Sequence, residues 1–255
     1  MNILPKISLI TVSFNSGSTI EDTIKSVANQ NYPNIEYIVV DGLSTDNTLD
    51  ILKSYPDVVS KVISEKDSGI YDAMNKGIML ATGDVVGILN ADDFYVDENV
   101  ITKVVQAFVI NPIDALIADL VYVRPEKLDK IVRYYSSANF ALDKFESGWM
   151  PPHPTFFVKR KCYDNFGLYK TDYKIAADFE LLARFMVKNH ISYHYLPEVI
   201  IKMRTGGAST KNLRSNLILN REIVRACAEN DIMTNYFKVY SKYLTKLFQL
   251  VCRPR

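Results

Sequence analysis

The sequence predicts an α/β fold, in which a mostly parallel central sheet is flanked by helices and followed by C-terminal amphipathic helices. In the first half of the chain, four short apolar runs alternate with four stretches that carry apolar residues at helical spacing. Such a row of strand–helix units favours a parallel sheet with helices on both faces. In the last fifty residues, two further helical patterns are separated near residues 229–235.

Each strand–helix unit of the first half has its own local signals. The four apolar runs predicted as strands are Ile7 to Phe14, Ile35 to Val40, Val62 to Ile63 and Val85 to Leu89. The helical stripes follow at Ile20 to Ala28, Leu49 to Leu52, Ile70 to Ala81 and Val100 to Phe108. Ser18 and Glu21 form a capping-box pattern for the first helix. Gly83 is the expected C-terminal stop of the third helix, and Asp97 is the expected cap of the fourth.

Beyond about residue 110 the pattern is less regular. The predicted elements are a strand at Asp114 to Val123, a shaped loop at Gly148 to Pro154, a helix at Ala176 to Val187 and a strand at Tyr193 to Arg204. The loop contains three prolines, which is too many for regular structure. A polar and aromatic stretch without an assigned element lies between the first of these strands and the loop.

Composition and charge exclude several classes of protein. Of the 255 residues, 48% are hydrophobic and 23% are charged, which excludes a disordered or low-complexity chain. The formal net charge of +1 provides no field that would attract nucleic acid, so we expect no nucleic-acid partner. Cys162, Cys227 and Cys252 form no C-x-x-C pair, so we expect neither a disulfide framework nor a zinc–thiolate site, and a cytoplasmic location fits. No targeting signal is present, and no apolar run reaches about 20 residues.

Acidic residues follow three successive strands of the first half. Asp41 ends the second strand, Asp67 follows the third, and Asp92 and Asp93 follow the fourth. The carboxyl ends of parallel strands meet at one edge of a sheet, where the ligands of open α/β sheets bind. Carboxylates that converge there repel each other unless a cation or a ligand compensates. Aspartate is also a common turn residue, but its repetition in register favours a binding site.

The Asp92–Asp93 pair predicts a divalent metal ion. Carboxylate oxygens without nearby His or Cys suit Mg²⁺ or Mn²⁺, with phosphate oxygens and water completing the shell. This is the chemistry of a diphosphate leaving group, whose developing charge a cation neutralises. The chain has no G-x-x-x-x-G-K-[ST] motif, no G-x-G-x-x-G after the first strand and no G-x-S-x-G. P-loop NTPases, Rossmann dehydrogenases and α/β-hydrolases are therefore unsupported.

Four motifs resemble those of family 2 glycosyltransferases of the GT-A fold. They are Thr11-Val12-Ser13-Phe14-Asn15, Val40-Asp41-Gly42-Leu43-Ser44-Thr45-Asp46-Asn47-Thr48, Ser64-Glu65-Lys66-Asp67-Ser68-Gly69-Ile70-Tyr71-Asp72-Ala73-Met74-Asn75-Lys76-Gly77 and Leu89-Asn90-Ala91-Asp92-Asp93. The likeness covers about residues 7–210 and is greatest to bacterial enzymes of exopolysaccharide, colanic acid and O-antigen assembly. It implies a GT-A catalytic domain at 1–210, with a nucleotide-sugar-binding half at 1–110 and an acceptor half at 111–210, and a helical extension at 211–255.

The resemblance implies a nucleotide-sugar pocket in the first half. The implied binding residues there are Thr11, Asn15, Asp41, Asp67, Lys76 and Asp92. Asp92 and Asp93 match the D-x-D-like motif and are the implied metal ligands, with Asp93 as the main one. The implied donor is a UDP- or GDP-sugar, and the implied cofactor is Mn²⁺ or Mg²⁺.

In the second half, the resemblance implies the acceptor site and the catalytic base. An acidic residue at the position of Asp178 is the family's general base, which would deprotonate the acceptor hydroxyl in an inverting transfer. The alternative for Asp178 is a plain charge at a helix N-terminus. Glu180, His153 and Trp149 are the implied acceptor residues. Asp178 and Glu180 stand two residues apart on a helix, so they cannot both face the cleft, and His153 and Trp149 are equally compatible with structural roles.

Arg204 opens a segment that resembles the family's G-G-x-S loop, Arg204-Thr205-Gly206-Gly207-Ala208-Ser209. The resemblance implies that the Arg204 guanidinium and the loop amides cradle the donor diphosphate. A plain turn between a strand and a helix is the alternative. Many GT-A enzymes supply a C-terminal His to the metal, and none follows His194 here, which leaves the third protein ligand open.

The stretch 236–251 predicts peripheral contact with a membrane. Lys238, Lys242 and Lys246 form a basic stripe beside two largely apolar faces. A helix of this kind suits an anionic membrane surface, here the inner face of the plasma membrane, and fits an acceptor carried on a lipid diphosphate. Packing against the catalytic domain or a second subunit is the alternative.

The leading hypothesis is an inverting glycosyltransferase of surface polysaccharide biosynthesis that uses a lipid-linked glycan acceptor. A sugar nucleotidyltransferase is one alternative, but that class carries a Gly-rich, Arg-containing loop where this chain has Asn15-Ser16-Gly17-Ser18. A non-catalytic module that binds nucleotide sugars or glycans is the other, and the acid at Asp178 argues against it.

Overall fold

A computed structural model describes residues 4–206 and 213–241. The strands and α-helices in this part of the chain are β1 (Ile7–Ser13), α1 (Ile20–Ala28), β2 (Ile35–Asp41), α2 (Thr48–Lys53), β3 (Lys61–Ser64), α3 (Ile70–Leu80), β4 (Val85–Ile88), β5 (Phe94–Tyr95), α4 (Val100–Ile110), β6 (Ala115–Arg124), β7 (Lys127–Tyr135), β8 (Phe157–Lys159), α5 (Arg160–Phe166), α6 (Ala177–Ala183), β9 (Tyr193–Arg204) and α7 (Leu213–Glu229). Short 3₁₀ helices lie at Leu142–Ser147 and His153–Thr155, and α6 continues into a π-helical turn at Arg184–Lys188. A further helical segment starts at residue 236.

The strands form one mixed sheet in the order β3-β2-β1-β4-β8-β6-β9-β5, with β7 paired to β6. Strands β1 to β4 are parallel, β8 is antiparallel to both β4 and β6, and β6 is parallel to β9. Strands β6 and β9 therefore point in the same direction as β1 and β4. The C-terminal ends of these strands meet along one edge, which we call the C-terminal edge. The mostly parallel sheet confirms the predicted fold class.

Apolar side chains cover both faces of the sheet. On one face, Ile10 and Val40 pack with Met74 of α3 and with α5, α6 and α7. On the other face, Leu9 and Val39 pack with α1, α2 and α4. Because both faces are covered, the inner strands are continuous apolar runs rather than alternating ones, and this is why the sequence predicts them well.

Strand β8 joins the second half of the chain to the first, because it lies between β4 and β6. Phe157 of β8 is fully buried and lies over Gly87 of β4, where an added Cβ would stand 2.4 Å from Cε1 of the Phe157 ring. A side chain on Gly87 would therefore displace the ring, so glycine permits the two strands to pair here.

The start of α1 differs from the prediction. The helix begins at Ile20 after Thr19, and no side chain caps it, so the capping box of Ser18 and Glu21 is wrong. Glu21 instead accepts a hydrogen bond from Tyr55 Oη at 2.8 Å. The first turn is supported by tertiary contacts in place of a local cap.

Two other helix ends also differ. Helix α3 ends at Leu80 with an extended Ala81, and Gly83 lies beyond it, where an added Cβ would stand 2.7 Å from the backbone nitrogen of Ser8. Gly83 therefore permits close packing against β1 rather than ending the helix. Helix α4 begins after Asn99, and Asp97 accepts a hydrogen bond from the Asn99 backbone nitrogen at 2.8 Å without capping the helix itself.

Strands β5, β7 and β8 and helix α5 are absent from the sequence prediction. β5 and β8 have two and three residues, which are too few to show a period. Strand β7 is largely exposed and so has no apolar alternation. The predicted break near residues 229–235 is confirmed, since α7 ends at Glu229 and the next helical segment starts at residue 236. In the part of the chain that the structure describes, no helix is long and apolar enough to span a membrane.

Candidate active site

Two adjacent carboxylates lie at the C-terminal edge, directly after β4. Asp93 is fully buried, and its Oδ2 accepts a hydrogen bond from Asn90 Nδ2 at 3.0 Å. Its Oδ1 is buried and has no hydrogen-bond partner among the described residues. Burial and the neighbouring charge of Asp92 raise the pKa of Asp93 well above its usual range, and burial also raises the pKa of Asp92. A cation would relieve this repulsion and supply a partner for Asp93 Oδ1.

This donor set fits a hard divalent cation. Mg²⁺ and Mn²⁺ prefer carboxylate oxygens, and Asp92 and Asp93 provide carboxylates side by side with one oxygen unpartnered. Over residues 4–206 and 213–241, no cluster of three or more His, Cys, Asp or Glu side chains is assembled. The remaining positions around such a cation would therefore be filled by substrate phosphate oxygens and water.

Arg204, at the end of β9, lies beside the acid pair. Its Nη1 donates to the backbone oxygen of Asp92 at 2.5 Å, and its Nη2 forms an ion pair with Asp22 of α1. The guanidinium stacks on Phe94, with Cζ 5.1 Å from the ring centroid, and the residue is only 6% exposed. The structure thus brings Arg204 to Asp92 and Asp93, but its donors are engaged by protein atoms. The predicted loop residues Gly207 to Ser209 lie outside the described residues.

Asp41 ties the C-terminal ends of β1, β2 and β3 together. Its carboxylate is fully buried and accepts hydrogen bonds from Ser13 Oγ at 3.1 Å and Ser64 Oγ at 2.8 Å. Ser44 donates to it from both its hydroxyl, at 2.5 Å, and its backbone nitrogen, at 2.9 Å. Contact of Asp41 with a nucleotide stays a prediction, and such a contact would compete with these donors.

Thr11 and Asn15 shape the same edge. Thr11 is buried, and its hydroxyl donates to the backbone oxygen of Leu89 at 2.7 Å while it accepts from Tyr37 Oη at 3.0 Å. It therefore holds β1 to the end of β4, just before the acid pair. Asn15 is exposed with a φ of 49°, and its side-chain oxygen accepts from the backbone nitrogen of Thr45 at 2.8 Å. The loops after β1 and β2 are thereby joined.

Asp67 lies in the segment between β3 and α3, and Lys76 lies on α3 itself. An added Cβ on Gly42 would stand 2.5 Å from Asp67 Oδ2, so Asp67 lies against the loop after β2. Lys76 Nζ forms an ion pair with Glu65 Oε1 at 2.8 Å. This ion pair fastens the segment to α3 and engages the ammonium group of Lys76.

Asp178 lies half-buried in the first turn of α6. Burial raises the pKa of its carboxyl to about 6, although a hydrogen bond from the Phe179 backbone nitrogen to Oδ1, at 2.8 Å, acts in the opposite direction. The charge of Glu222 adds to the increase. A carboxyl group with this pKa is mostly ionised at pH 7 and still basic enough to accept a proton, as a general base must be.

Hydrogen bonds hold the start of α6 against the first half of the chain. Tyr71 of α3 donates from Oη to the backbone oxygen of Ile175 at 2.5 Å. Asn75 of α3 and Tyr169 exchange two hydrogen bonds, from Asn75 Nδ2 at 2.8 Å and from the Tyr169 backbone nitrogen at 2.9 Å. Burial and the nearby charge of Asp178 both raise the pKa of Tyr71. Asp178 therefore lies close to the helix that follows the predicted nucleotide segment.

Glu180 has a different environment from Asp178. It is fully buried, with Lys170 Nζ 3.0 Å from Oε1 and Arg184 Nη2 3.0 Å from Oε2. The structure thus places Glu180 in an internal ion-pair cluster and not with Asp178. Its proposed contact with an acceptor has no support in this geometry.

His153 and Trp149 both lie among aromatic side chains. His153 is 7% exposed, its Nε2 is 2.5 Å from Tyr169 Oη, and burial lowers its pKa to about 4, so it is neutral at pH 7. Trp149 is half-buried, and its ring centroid lies 5.8 Å from those of both Tyr135 and Phe140. The Trp149 ring is therefore part of an aromatic surface, whereas His153 is enclosed.

Three residues of this aromatic surface are missing from the sequence prediction. Burial raises the pKa of Tyr122 on β6, with a contribution from the charge of Asp93. Burial likewise raises the pKa of Tyr135 on β7, with a contribution from Asp178. Arg133 lies over both rings, with Cζ 5.3 Å from the Tyr122 centroid and 5.4 Å from that of Tyr135. The sequence does show a polar and aromatic stretch after the predicted strand Asp114 to Val123, and this stretch contains Arg133 and Tyr135. Only the pairing of β7 with β6 brings these residues next to Tyr122.

Residues 8–167 match the family described as glycosyl transferase family 2. The chain belongs to this family. It is a glycosyltransferase, as predicted, which confirms the enzyme class EC 2.4. The nucleotidyltransferase and non-catalytic alternatives lose their support.

Curated relatives agree with this assignment. The glycosyltransferase is 33% identical to an uncharacterised glycosyltransferase of Mycobacterium tuberculosis. The alignment spans 186 residues, which are 72% of this chain and 70% of the relative. It is 27% identical over 226 residues to a PGL/p-HBAD biosynthesis glycosyltransferase of Mycobacterium bovis, covering 87% of this chain and 83% of the relative.

Solved structures share the fold. S. aureus TarS in complex with UDP-GlcNAc superposes with a TM-score of 0.71 at 19% identity, over 96% of this chain and 73% of TarS. The mannosyltransferase PcManGT of Pyrobaculum calidifontis, in complex with GDP-Man and Mn²⁺, has a TM-score of 0.66 at 17% identity, over 100% of this chain and 77% of its own. At these identities the likeness shows the GT-A fold of the glycosyltransferase.

Proposed function

We propose that the glycosyltransferase moves a sugar from a UDP- or GDP-sugar to a hydroxyl of a lipid-linked surface glycan, with inversion at the anomeric carbon and with Asp178 as the base. The observation that carries this proposal is the half-buried Asp178 carboxyl, whose pKa burial raises to about 6. Tyr71 of α3, which follows the predicted nucleotide segment, donates to the backbone oxygen of Ile175, three residues before Asp178. A base in this position is what an inverting transfer requires.

The donor diphosphate lies at the C-terminal edge, beside Asp92 and Asp93. These two residues would hold a divalent cation, with Asp93 Oδ1 as the unpartnered oxygen. When bound, Mn²⁺ or Mg²⁺ neutralises charge on the leaving diphosphate. PcManGT, which shares the fold, was solved with GDP-Man and Mn²⁺, and TarS with UDP-GlcNAc, which supports this class of donor and cofactor. Asn15 and Asp67, on neighbouring loops, flank the nucleotide.

Asp178 performs the proton transfer. The Phe179 backbone nitrogen holds Oδ1, so we assign the proton to Oδ2. As the acceptor oxygen loses its proton to Asp178, it forms a bond to the anomeric carbon from the side opposite the diphosphate. The bond between this carbon and the diphosphate oxygen breaks, and its electron pair leaves with the nucleoside diphosphate. A positioned base contributes about 10²–10⁴-fold to such a step.

The acceptor is proposed to be a glycan of the cell surface, of the exopolysaccharide or O-antigen kind. The relative named for PGL/p-HBAD biosynthesis supports a role in glycan assembly. Trp149, with Tyr135 and Phe140, offers aromatic rings on which a sugar face can stack. Residues 111–210 would then form the acceptor half and residues 1–110 the donor half.

Membrane contact through residues 236–251 is part of the proposal. In the described portion of this stretch, Phe237 is 86% exposed and Tyr236 is 52% exposed, and Met233 just before it is 84% exposed. Lys238 lies among them, while residues 242–251, including Lys242 and Lys246, fall outside the described residues. Exposed large apolar side chains beside lysine suit an anionic lipid surface.

The test is the Asp178→Asn variant. We expect it to bind UDP or GDP with Mn²⁺ as the wild type does in calorimetric titration. Release of the nucleoside diphosphate from a sugar donor, with a bacterial lipid-linked glycan fraction as acceptor, should fall by about 10²–10⁴-fold. Transfer at the wild-type rate would show that Asp178 is not the base. Failure of the wild type to bind any nucleoside diphosphate would overturn the donor assignment.

A further inference from the structure

Arg133 is an exposed cation at the aromatic surface described above. Its guanidinium lies over the rings of Tyr122 and Tyr135, at 5.3 and 5.4 Å from their centroids. Throughout residues 4–206 and 213–241, no carboxylate lies within ion-pair distance of it. The rings orient the guanidinium by cation–π contact and leave its hydrogen-bond donors available to a ligand.

The strand that carries Arg133 is fixed at its end. Asp119 of β6 accepts a hydrogen bond from the Ser137 backbone nitrogen at 2.6 Å and another from the Tyr134 hydroxyl. Tyr135 Oη donates to the backbone oxygen of Met150 at 2.7 Å. The platform under Arg133 is therefore held in place from both sides of the strand.

The rings of Tyr122 and Tyr135 lie at the C-terminal edge of the sheet. In the register of β6 with β7, Arg133 pairs with Tyr122, and the next residue of β6, Val123, pairs with Arg204 of β9. Arg204 in turn donates to the backbone oxygen of Asp92. Arg133 consequently lies at the C-terminal edge, close to the strand position of Arg204 beside the acid pair.

Two other nearby cations, Arg204 and Lys76, are engaged by protein atoms. Arg204 donates to Asp22 and to the Asp92 backbone, and it is only 6% exposed. Lys76 is paired with Glu65. In a cleft lined by acids, a phosphate group is stabilised by a cation with available donors in addition to the divalent ion proposed at Asp92 and Asp93.

We infer that Arg133 binds phosphate oxygens of a substrate in this cleft, an inference that rests on the proposed function. The planar guanidinium presents parallel N–H groups that match two phosphate oxygens, which a lysine does not. Two substrates can supply such oxygens: the donor through its diphosphate, and the lipid-linked acceptor through its own diphosphate.

The experiment compares the full-length wild type with Arg133→Gln, using calorimetric titration in the presence of Mn²⁺. UDP and GDP are compared with uridine and guanosine, which lack phosphate. Geranyl diphosphate, a short lipid diphosphate, is then titrated into protein already saturated with the nucleoside diphosphate. Lys130→Gln removes the same charge from an exposed residue of the same strand and is the matched control.

A loss of about 10- to 100-fold in nucleoside diphosphate affinity, with nucleoside affinity unchanged, supports the inference and identifies the donor diphosphate as the ligand. The same loss confined to geranyl diphosphate supports it and identifies the acceptor. Arg133→Lys keeps the charge but loses the paired N–H groups of the guanidinium. Its affinity for the diphosphate should lie between those of the wild type and Arg133→Gln. Equal thermal unfolding midpoints establish that the variants are folded.

The inference is wrong if Arg133→Gln binds both diphosphates as the wild type does, or if Lys130→Gln weakens them equally. These results would leave the proposed function standing, because the wild type would still bind the nucleoside diphosphate. If the wild type binds no nucleoside diphosphate at all, the proposed function fails and this inference falls with it.

Discussion

At Asp178 the glycosyltransferase combines burial with access to a substrate. The residue is half-buried, and this burial raises the pKa of its carboxyl to about 6. Glu180, two residues later, is more deeply buried but is neutralised by Lys170 and Arg184. The two acids of one helix turn therefore differ in environment, one being the proposed proton acceptor and the other part of the packed interior.

The pH dependence of the reaction follows from this pKa. Below about pH 6, Asp178 is protonated and cannot accept a proton, so the rate should fall about tenfold per pH unit. Above pH 6 it is ionised, and the rate should level off. Steady-state rates at saturating donor, measured from pH 4.5 to 8, check this expectation, and in Asp178→Asn the limb near pH 6 should disappear. Retention of that limb in the variant would assign it to another group.

Asp93 gives a second prediction at the residue scale. Among the described residues its Oδ1 has no partner, and its charge is unfavourable next to that of Asp92, so a bound cation would stabilise the acid pair. In Asp93→Ala, the increase in nucleoside diphosphate affinity that Mn²⁺ produces should be lost, while nucleoside affinity is unchanged. Calorimetry with and without Mn²⁺ measures both. Asp97→Ala, at an exposed acid a few residues later, is the control and should keep the metal effect.

At the residue scale, the sequence predicted which types of residue form the site better than it predicted which residues they contact. The motif around Asp92 and Asp93 could be located because it follows an apolar strand. Local pattern could not predict the ion pair between Arg204 and Asp22, because the two residues are 182 positions apart in the sequence. Arg133 and Tyr122 were missed for the same reason, since strand pairing brings them together.

At the scale of elements, helix α3 depends on close packing against the sheet. An added Cβ on Gly77 would stand 2.4 Å from Ile10 Cγ2 and 3.4 Å from Val40 Cγ2, and both partners are fully buried. The absence of a side chain at this position lets α3 approach β1 and β2. From the same helix, Lys76 pairs with Glu65 of the predicted nucleotide segment, and Tyr71 donates to Ile175 near Asp178.

Gly77→Ala should therefore destabilise the fold. Overpacking costs about 1–3 kcal/mol, which exceeds the gain of about 1 kcal/mol in helix propensity. Urea unfolding measures the free energy of unfolding. Met79→Ala, at a position of the same helix that is 66% exposed, is the control and should change it by less than about 0.5 kcal/mol. An unchanged stability in Gly77→Ala would mean that α3 can move away from the sheet without cost.

The elements that sequence reasoning found are those whose burial gives them a period. Strand β2, predicted at residues 35–40, ends at Asp41, and α3 was predicted within one residue of its observed end. Strand β7 was missed because its side chains are largely exposed, and β8 because three residues show no period. The wrong capping box at Ser18 shows that a local motif yields to tertiary contacts such as that of Glu21 with Tyr55.

At the scale of the whole molecule, the C-terminal stretch makes a prediction about location. Replacement of Lys238, Lys242 and Lys246 by glutamine should weaken binding to phosphatidylglycerol vesicles, since each lysine near an anionic surface contributes about 1 kcal/mol. Cosedimentation with vesicles at low and high salt measures this. Phosphatidylcholine vesicles should bind weakly to either protein.

A triple variant with lysines replaced elsewhere serves as the control. Lys53, Lys127 and Lys130 are exposed on other elements, so their replacement by glutamine changes the net charge equally and should leave vesicle binding intact. Absence of wild-type binding to anionic vesicles would instead favour packing of the stretch against protein.

The insertion of β8 between β4 and β6 also constrains how new enzymes can be assembled from this family. A chimera that joins residues 1–110 of one relative to the remainder of another would have to match strand register across β4 and β8. It would also have to inherit Gly87 and Phe157 as a pair, because any larger residue at position 87 would meet the ring. Recombination of donor and acceptor preferences is therefore best designed with β4 and β8 taken from the same parent, and with crossover points in the exposed loops that flank them.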